Sequence, residues 1–444
     1  IMGSDVESDM MVQTALINMY GKCGGLVYAK KIFSKMTCLD EVVWSAMISV
    51  YAENAHIRGA IQLFEQMLQE GMLSNKYILS SILSGCAIEF VYVEGKQMHA
   101  RITCSGFALD VAVGNALVSL YGKIGCMDDA LKVFYKMFDC NLVSWNSIIG
   151  ACAEHGHLQG ACQIFEQMQQ EGFVADKATF VNVLSASANR DSLTQGKRFH
   201  ALTIVTSMSG DIQIDNALVN MYGKSLCVDN AMETFHRMPE HNIVCITAMI
   251  SVFAQNGQAN NAVALFHSIN DKCDAILWNS VISSLAQSGQ GKRALAMFEQ
   301  MLLEGIMPDR VTFISNLDAC ANVAILGEAK RMHSRVVSSV FKSDDMIQNE
   351  LVNMYGRCGS VEVAWNLFKQ LLKRDVFSWS SIIAAYAQIG RGKDALNVFK
   401  QMKQEGVTPD KITFINVLSA CSHAGLVREG CQQFASMKDD YGIT

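Results

Sequence analysis

The chain has 444 residues, half of them hydrophobic, with 3 Pro, 15 Cys and a formal net charge of −6. No segment approaches the run of about 18 uninterrupted apolar residues that marks a membrane-spanning helix. The acidic balance excludes a protein that holds nucleic acid by bulk positive charge, though not one with a local basic groove.

The chain begins IMGSDVESD, which has neither the Arg-rich pattern of a transit peptide nor the apolar core of a signal peptide. Residues 1–9 read as the tail of a preceding repeat. From Met10 onward one pattern recurs: an amphipathic helix, a break, a second amphipathic helix and a polar stop. The stretch 142–176 shows it best. Trp145, Ile148 and Ile149 open one apolar stripe. Ala161, Ile164, Phe165 and Met168 recur at three- and four-residue steps in the next, as one face of an α-helix requires. Gly156 and Gly172 stand where a left-handed residue closes a helix, and Asp176 stands as an N-cap for the helix that follows.

Small residues set the register: Ala29, Ala60, Gly95, Ala130, Ala161, Gly196, Ala231, Ala262, Ala294, Ala329, Ala364, Ala395 and Gly430 recur at intervals of 31, 32 or 35. Phe stands four positions later in most units, and Met three further on, as at Met36, Met67, Met137, Met168 and Met402; the expected role of this lattice is core packing. The units run 10–40, 41–75, 76–110, 111–141, 142–176, 177–211, 212–242, 243–274, 275–309, 310–344, 345–375 and 376–410, with an incomplete thirteenth at 411–444. Unit 243–274 is irregular and carries an extra residue near Asp271. A single hairpin cannot bury its own stripe, so the pattern predicts an all-α solenoid of tandem helix-turn-helix repeats. The array begins and stops inside repeats without a polar cap, which predicts either a piece of a longer protein or a truncated gene model.

The 15 Cys form no C-x-x-C pair. Several sit at equivalent repeat positions, Cys23 with Cys358 and Cys86 with Cys320 and Cys421, which favours reduced, buried thiols over disulfides.

Two columns carry polar residues. Every complete unit ends in Asp or Asn: Asp40, Asn75, Asp110, Asn141, Asp176, Asp211, Asn242, Asp274, Asp309, Asp344, Asp375 and Asp410. Helix capping accounts for that restriction. It does not account for the fifth residue, which is Thr14, Ser45, Asn115, Asn146, Asn216, Thr247, Asn279, Asn349 or Ser380. These are mediocre helix formers one turn inside a helix. They mark either a solvated face or a polar edge kept for a ligand.

Three unit types alternate. One of 35 residues opens like LVSWNSII or VFSWSSII. A second of 35 opens like ATFVNVLSA or VTFISNLDAC and later carries GKQMH, GKRFH or AKRMH, ending at His99, His200 or His333. A third, of 31, reads like VGNALVSLYGKIG or IQNELVNMYGRCG. This order of normal, long and short motifs resembles the PLS class of plant pentatricopeptide repeat proteins along essentially the whole chain. The resemblance implies a right-handed superhelix whose groove binds single-stranded RNA, one base per repeat.

It further implies that the fifth and terminal residues together read the base: Thr14 with Asp40 (G), Ser45 with Asn75 (A), Asn115 with Asn141 (C or U), Asn146 with Asp176 (U), Asn216 with Asn242 (C or U), Thr247 with Asp274 (G), Asn279 with Asp309 (U), Asn349 with Asp375 (U) and Ser380 with Asp410 (G). Val181 and Ile314, at the fifth position of two long units, cannot read a base edge; Ser80 in a third is left open. The implied site is G-A-(G)-Y-U-N-Y-G-U-N-U-G, with Y a pyrimidine and N any base. The second residue resembles the position that sandwiches bases: Met11, Val42, Val143, Val244, Ile276, Val311, Met346, Phe377 and Ile412, with Gln213 an outlier. Lys22, Lys123, Lys224 and Arg357, at position thirteen of the short units, suit either phosphate contacts or ordinary charge placement at a helix C-terminus.

No zinc-deaminase signature, phosphate loop, nucleophile elbow or metal-suited acidic cluster occurs in the sequence, so the expectation is a binding module rather than an enzyme, without cofactor, membrane segment or small-molecule substrate. His99, His200 and His333 read as packed or solvated residues rather than ligands. The last unit resembles the long motif that closes arrays of the E/DYW type of editing factor. The role this implies is directing C-to-U editing in a mitochondrial or chloroplast transcript, with a deaminase supplied from outside this chain. The rivals are an RNA stabilisation or processing factor and a peptide-binding scaffold.

Overall fold

The computed structural model describes residues 10–36, 38–269 and 274–443; residues 1–9 and the extra residue expected near Asp271 lie outside the described residues. The chain divides into two compact units, Ile1–Cys227 and Val228–Thr444. In the first, helices run α1 (Met10–Lys22), α2 (Leu26–Phe33), α3 (Glu41–Glu53), α4 (Ile57–Gln69), α5 (Lys76–Ile88), α6 (Tyr92–Thr103), α7 (Val111–Ile124), α8 (Met127–Lys136), α9 (Leu142–Glu154), α10 (Leu158–Gln170), α11 (Lys177–Ala186), α12 (Leu193–Val205) and α13 (Ile212–Lys224). In the second they run α14 (Val228–Arg237), α15 (Ile243–Gln255), α16 (Ala259–Ser268), α17 (Ala275–Gln287), α18 (Gly291–Leu303), α19 (Arg310–Val323), α20 (Leu326–Ser338), α21 (Asp345–Arg357), α22 (Val361–Gln370), α23 (Val376–Gln388), α24 (Gly392–Gln404), α25 (Lys411–His423) and α26 (Val427–Asp439). No strand occurs among the described residues, and no helix is long and apolar enough to cross a membrane.

Within each unit the odd-numbered helices stack on one another in chain order, α1 through α13 and α15 through α25. The even-numbered helices α2 to α12 and α16 to α26 each pack against the odd-numbered partner of their own hairpin, and α14 packs on α15. The small-residue register makes this possible. Ala60, Ala130, Ala161, Ala294 and Ala395 are fully buried. A Cβ added at Gly196 would run into the end of the Met221 side chain, which would have to move to admit it. Gly156 and Gly172 take φ of 67° and 84°, the left-handed closure their positions suggest.

Short and normal units differ by one helical turn at the end of the second helix: α8 and α22 have 10 residues where α10 and α24 have 13. This corrects part of the Met lattice. Met67, Met168 and Met402 lie on the extra turn and are fully buried. Met36 and Met137 fall just beyond the shorter helix and are only half-buried. In the same units Phe meets the Trp of the next hairpin edge-on, with centroids 5.1 Å apart for Phe33–Trp44, 4.9 Å for Phe134–Trp145 and 4.7 Å for both Phe266–Trp278 and Phe368–Trp379.

The recurrent histidines tie each long hairpin to the next. Nδ1 of His99, His200 and His333 lies 2.7, 2.8 and 3.0 Å from the hydroxyl of Tyr121, Tyr222 and Tyr355. Burial holds His99 and His333 below the ordinary imidazole value. The cysteines split. Cys86, Cys320 and Cys421 are buried, and burial pushes the Cys86 and Cys320 thiols up to about 12. Cys23 is exposed and Cys358 half-buried, so the expectation of burial fails for that pair.

Candidate nucleic-acid interface

The odd-numbered helices inside each stack, such as α9, α17 and α21, pack against neighbours on three sides and keep one stripe open. In α21 it is Met346, Glu350, Asn353 and Arg357; in α17 it is Ile276, Ser280, Ser283 and Gln287; in α9 it is Val143, Ser147, Gly150 and Glu154. These are the second, sixth, ninth and thirteenth residues of their repeats, spaced as one helical face. Most of the sixth and ninth residues are small or polar, so the stripe is a shallow floor with an apolar residue at one end. That residue is exposed at every expected position: Met11, Val42, Val143, Val244, Ile276, Val311, Met346, Phe377 and Ile412 are 44–80% exposed.

The terminal Asp or Asn lies beside that end because it caps the next odd-numbered helix. All twelve do so through a side-chain oxygen that accepts from the backbone two or three residues on, for example Val43 N–H onto Asp40, Cys245 N–H onto Asn242 and Ile276 N–H onto Asp274. In several repeats the same side chain also receives the fifth residue. Asn146 Nδ2 donates to Asp176 Oδ1 at 3.0 Å. Asn279 Nδ2 lies 3.0 Å from both Asp309 oxygens, Asn349 Nδ2 lies 3.1 Å from Asp375 Oδ2, and Asn115 Nδ2 lies 3.5 Å from Asn141 Oδ1. Asn75 Nδ2 donates to Ser45 Oγ at 3.2 Å. Ser380 reaches Asp410 through Thr413, with hydroxyl oxygens 2.7 Å apart. Thr14 and Thr247 differ: their hydroxyls donate to the carbonyls of Met10 and Val244 in their own helices, at 2.7 and 3.0 Å. Asn216 is half-buried on α13.

Burial acts to raise the Asp176 carboxyl, but hydrogen bonds from Thr179 and Asn146 and from the Ala178 backbone outweigh it and hold it below the ordinary carboxylate value.

The long units are built differently, in a way the sequence reading missed. Their terminal carboxylates pair with the cation that opens the same unit: Lys76 with Asp110 at 3.9 Å, Lys177 with Asp211 at 2.9 Å and Arg310 with Asp344 at 3.0 Å. A fifth residue takes no part, and Ser80 Oγ is buried without a hydrogen-bond partner. The cation at the first position, Lys76, Lys177 or Arg310, was the available signal, with an apolar fifth residue in two of the three units, Val181 and Ile314.

Lys22, Lys123 and Lys224 are exposed on the stripe. Arg357 is engaged: it donates to Asn322 Oδ1 at 2.7 Å and lies 3.7 Å from Asp318 Oδ1 on the neighbouring α19. Glu350, two turns before Arg357 on α21, accepts from Asn353 at 3.2 Å, and burial raises its carboxyl above the ordinary value.

A stacked array of helical hairpins with a polar pair repeated at one edge defines a helical-repeat binding protein. Family models agree. A model described as the PPR repeat family matches residues 140–189, 274–322 and 374–423, and one described as the PPR repeat matches 14–40, 42–72, 115–142, 216–243, 244–273 and 349–376. The chain belongs to the pentatricopeptide repeat family. It is 31% identical over 435 residues to the Arabidopsis thaliana pentatricopeptide repeat-containing protein At5g27110, covering 98% of this chain and 58% of that one. It is also 31% identical to the chloroplastic At1g15510 and the mitochondrial At3g02330 of the same plant, covering 99% of this chain and 46% and 47% of theirs. The chain therefore spans about half the length of the curated relatives it matches. The crystal structure of maize PPR10 shares the fold, with a TM-score of 0.55 at 17% identity over 97% of this chain and 68% of that one.

Proposed function

We propose that the chain binds single-stranded RNA along the open stripe of its odd-numbered helices and selects bases with the fifth and terminal residues of the normal and short repeats. The observation that carries this reading is the repeated juxtaposition of an Asn amide and a terminal Asp or Asn, 3.0–3.5 Å apart, beside an exposed apolar side chain. Such an edge presents donors and acceptors to a base whose face rests on the apolar residue. In the long repeats the terminal carboxylate is held by Lys or Arg, which supports a spacing role there. The chain thus acts as a binding module.

Relatives named chloroplastic and mitochondrial support an organellar site of action. Within that setting the reading is a factor that places an editing deaminase, carried outside these residues, at a chosen cytidine. Binding of the purified chain to G-A-G-Y-U-N-Y-G-U-N-U-G RNA and to a composition-matched scramble, at one stated salt concentration, tests the base reading. A preference for the designed RNA that moves from U towards G opposite residue 146 in Asn146→Thr is the expected result. Equal binding to both RNAs overturns it.

A further inference from the structure

Three long repeats place a threonine against the reading pair of the repeat before them. Thr179 Oγ1 lies 2.7 Å from Asn146 Oδ1 and 2.8 Å from Asp176 Oδ1, and it accepts the Asp176 backbone N–H at 3.1 Å. Thr312 repeats this with Asn279 Oδ1 at 2.6 Å, Asp309 Oδ1 at 2.9 Å and the Asp309 N–H at 3.1 Å. Thr413 does so with Ser380 Oγ and Asp410 Oδ1, both at 2.7 Å. Thr179, Thr312 and Thr413 are fully buried. Each belongs to the third residue of its repeat, so the contact joins two repeats.

The consequence for an Asn is an orientation. Asn146 has Nδ2 on the Asp176 carboxylate and Oδ1 on the Thr179 hydroxyl. Turning the amide over would set its oxygen against the carboxylate and end its bond with the Thr179 hydroxyl, whose proton would then go to Asp176 Oδ1 alone. The short repeats lack this lock. Oδ1 of Asn115 and of Asn349 is buried without a hydrogen-bond partner: Ser144 Oγ bonds the terminal Asn141 as Thr179 bonds Asp176 but has no bond to Asn115, and Ser378 Oγ donates to the Asp375 carbonyl. The repeat 76–110 has Ile78 at the third position, so the Ser45–Asn75 pair also stands without a threonine.

We propose that Thr179, Thr312 and Thr413 are positioning residues for base selection, locking the reading pair of the preceding repeat so that repeats 142–176, 275–309 and 376–410 discriminate bases more sharply than the short repeats. The inference rests on the RNA reading above. A group held in its binding orientation gives up less freedom on binding, and a fixed amide cannot present the opposite hydrogen-bonding pattern to the wrong base.

The test measures affinities of the full chain for the designed RNA and for two single mismatches, U to C opposite residue 146 and U to C opposite residue 349. Thr179→Val should reduce the match-to-mismatch ratio about five-fold opposite residue 146, the effect of one net hydrogen bond. The ratio opposite residue 349 should not change, and Thr179→Ser should restore discrimination. A ratio unchanged in Thr179→Val, or lowered equally at both bases, overturns the assignment while the base reading stands. An unmodified chain that does not distinguish the designed RNA from its scramble overturns the base reading, and this inference with it.

Discussion

Asp176 serves two repeats at once, and the two roles separate by substitution. Its Oδ1 caps α11 by accepting the Thr179 N–H at 2.8 Å and holds Asn146 Nδ2 at 3.0 Å. Asp176→Ala loses both. Loss of a cap costs about 1 kcal/mol, and the second bond contributes about 1 kcal/mol more. Asp176→Asn keeps the geometry, since Asn75, Asn141 and Asn242 cap the same position at 2.9–3.0 Å. The alanine variant should therefore lose about 2 kcal/mol locally, and the asparagine variant well under half of that. Hairpins of a repeat array open individually, so the assay is native-state hydrogen exchange of the α11 amides, read beside urea denaturation. The asparagine variant should also move base preference from U towards C at that repeat, by the roughly 1–3 kcal/mol that one mismatched base costs in a specific protein–DNA site. Equal exchange in the two variants refutes the capping argument. Unchanged preference for U in Asp176→Asn refutes the claim that the terminal residue is read.

Three further outcomes follow from the geometry. Lys123→Gln should weaken RNA binding and flatten the log-affinity against log-salt slope by about 0.7; Arg357→Gln should change it less, because Asp318 and Asn322 already engage that guanidinium, and a salt titration of both variants decides. Burial depresses His99 and His333, so their contribution to stability is fully present above the ordinary imidazole value of about 6.5 and is lost as pH falls through the lower folded value. Thermal midpoints should accordingly drop more steeply on acidification in the unmodified chain than in the double variant His99→Gln, His333→Gln. Ala161→Leu forces a larger side chain into a fully buried site and should destabilise by about 1–3 kcal/mol in urea denaturation.

The paired helices, the caps and the exposed second residue were legible in the sequence because each is a local pattern repeated many times. A period exposes whatever depends on helix phase, and Val143, Ile276 and Met346 are exposed for that reason alone. What stayed hidden depends on which helices meet. His99 and Tyr121 are 22 residues apart and Thr179 and Asn146 are 33 apart, each pair in different repeats, and nothing in either stretch alone marks the contact. Arg357 reads like Lys123 in the alignment of repeats; only the acid at Asp318, where most other repeats carry Ser or Asn, distinguishes it. Met36 and Met137 share the spacing of Met168, yet the helix that would bury them ends one turn early.

The bonds from Thr179 to Asn146 and Asp176 also bear on how such an array can be rearranged. A duplication or graft cut at residue 176 would carry Asn146 and Asp176 together but leave behind the hydroxyl that orients them. Ile78 in place of Thr179 would then dock a pair of the same spelling with a looser grip. On the proposed base reading, the heritable piece that preserves one choice of base runs past the repeat boundary into the first turn of its successor. On that proposal, two chains with identical fifth and terminal residues differ in fidelity when their junctions differ.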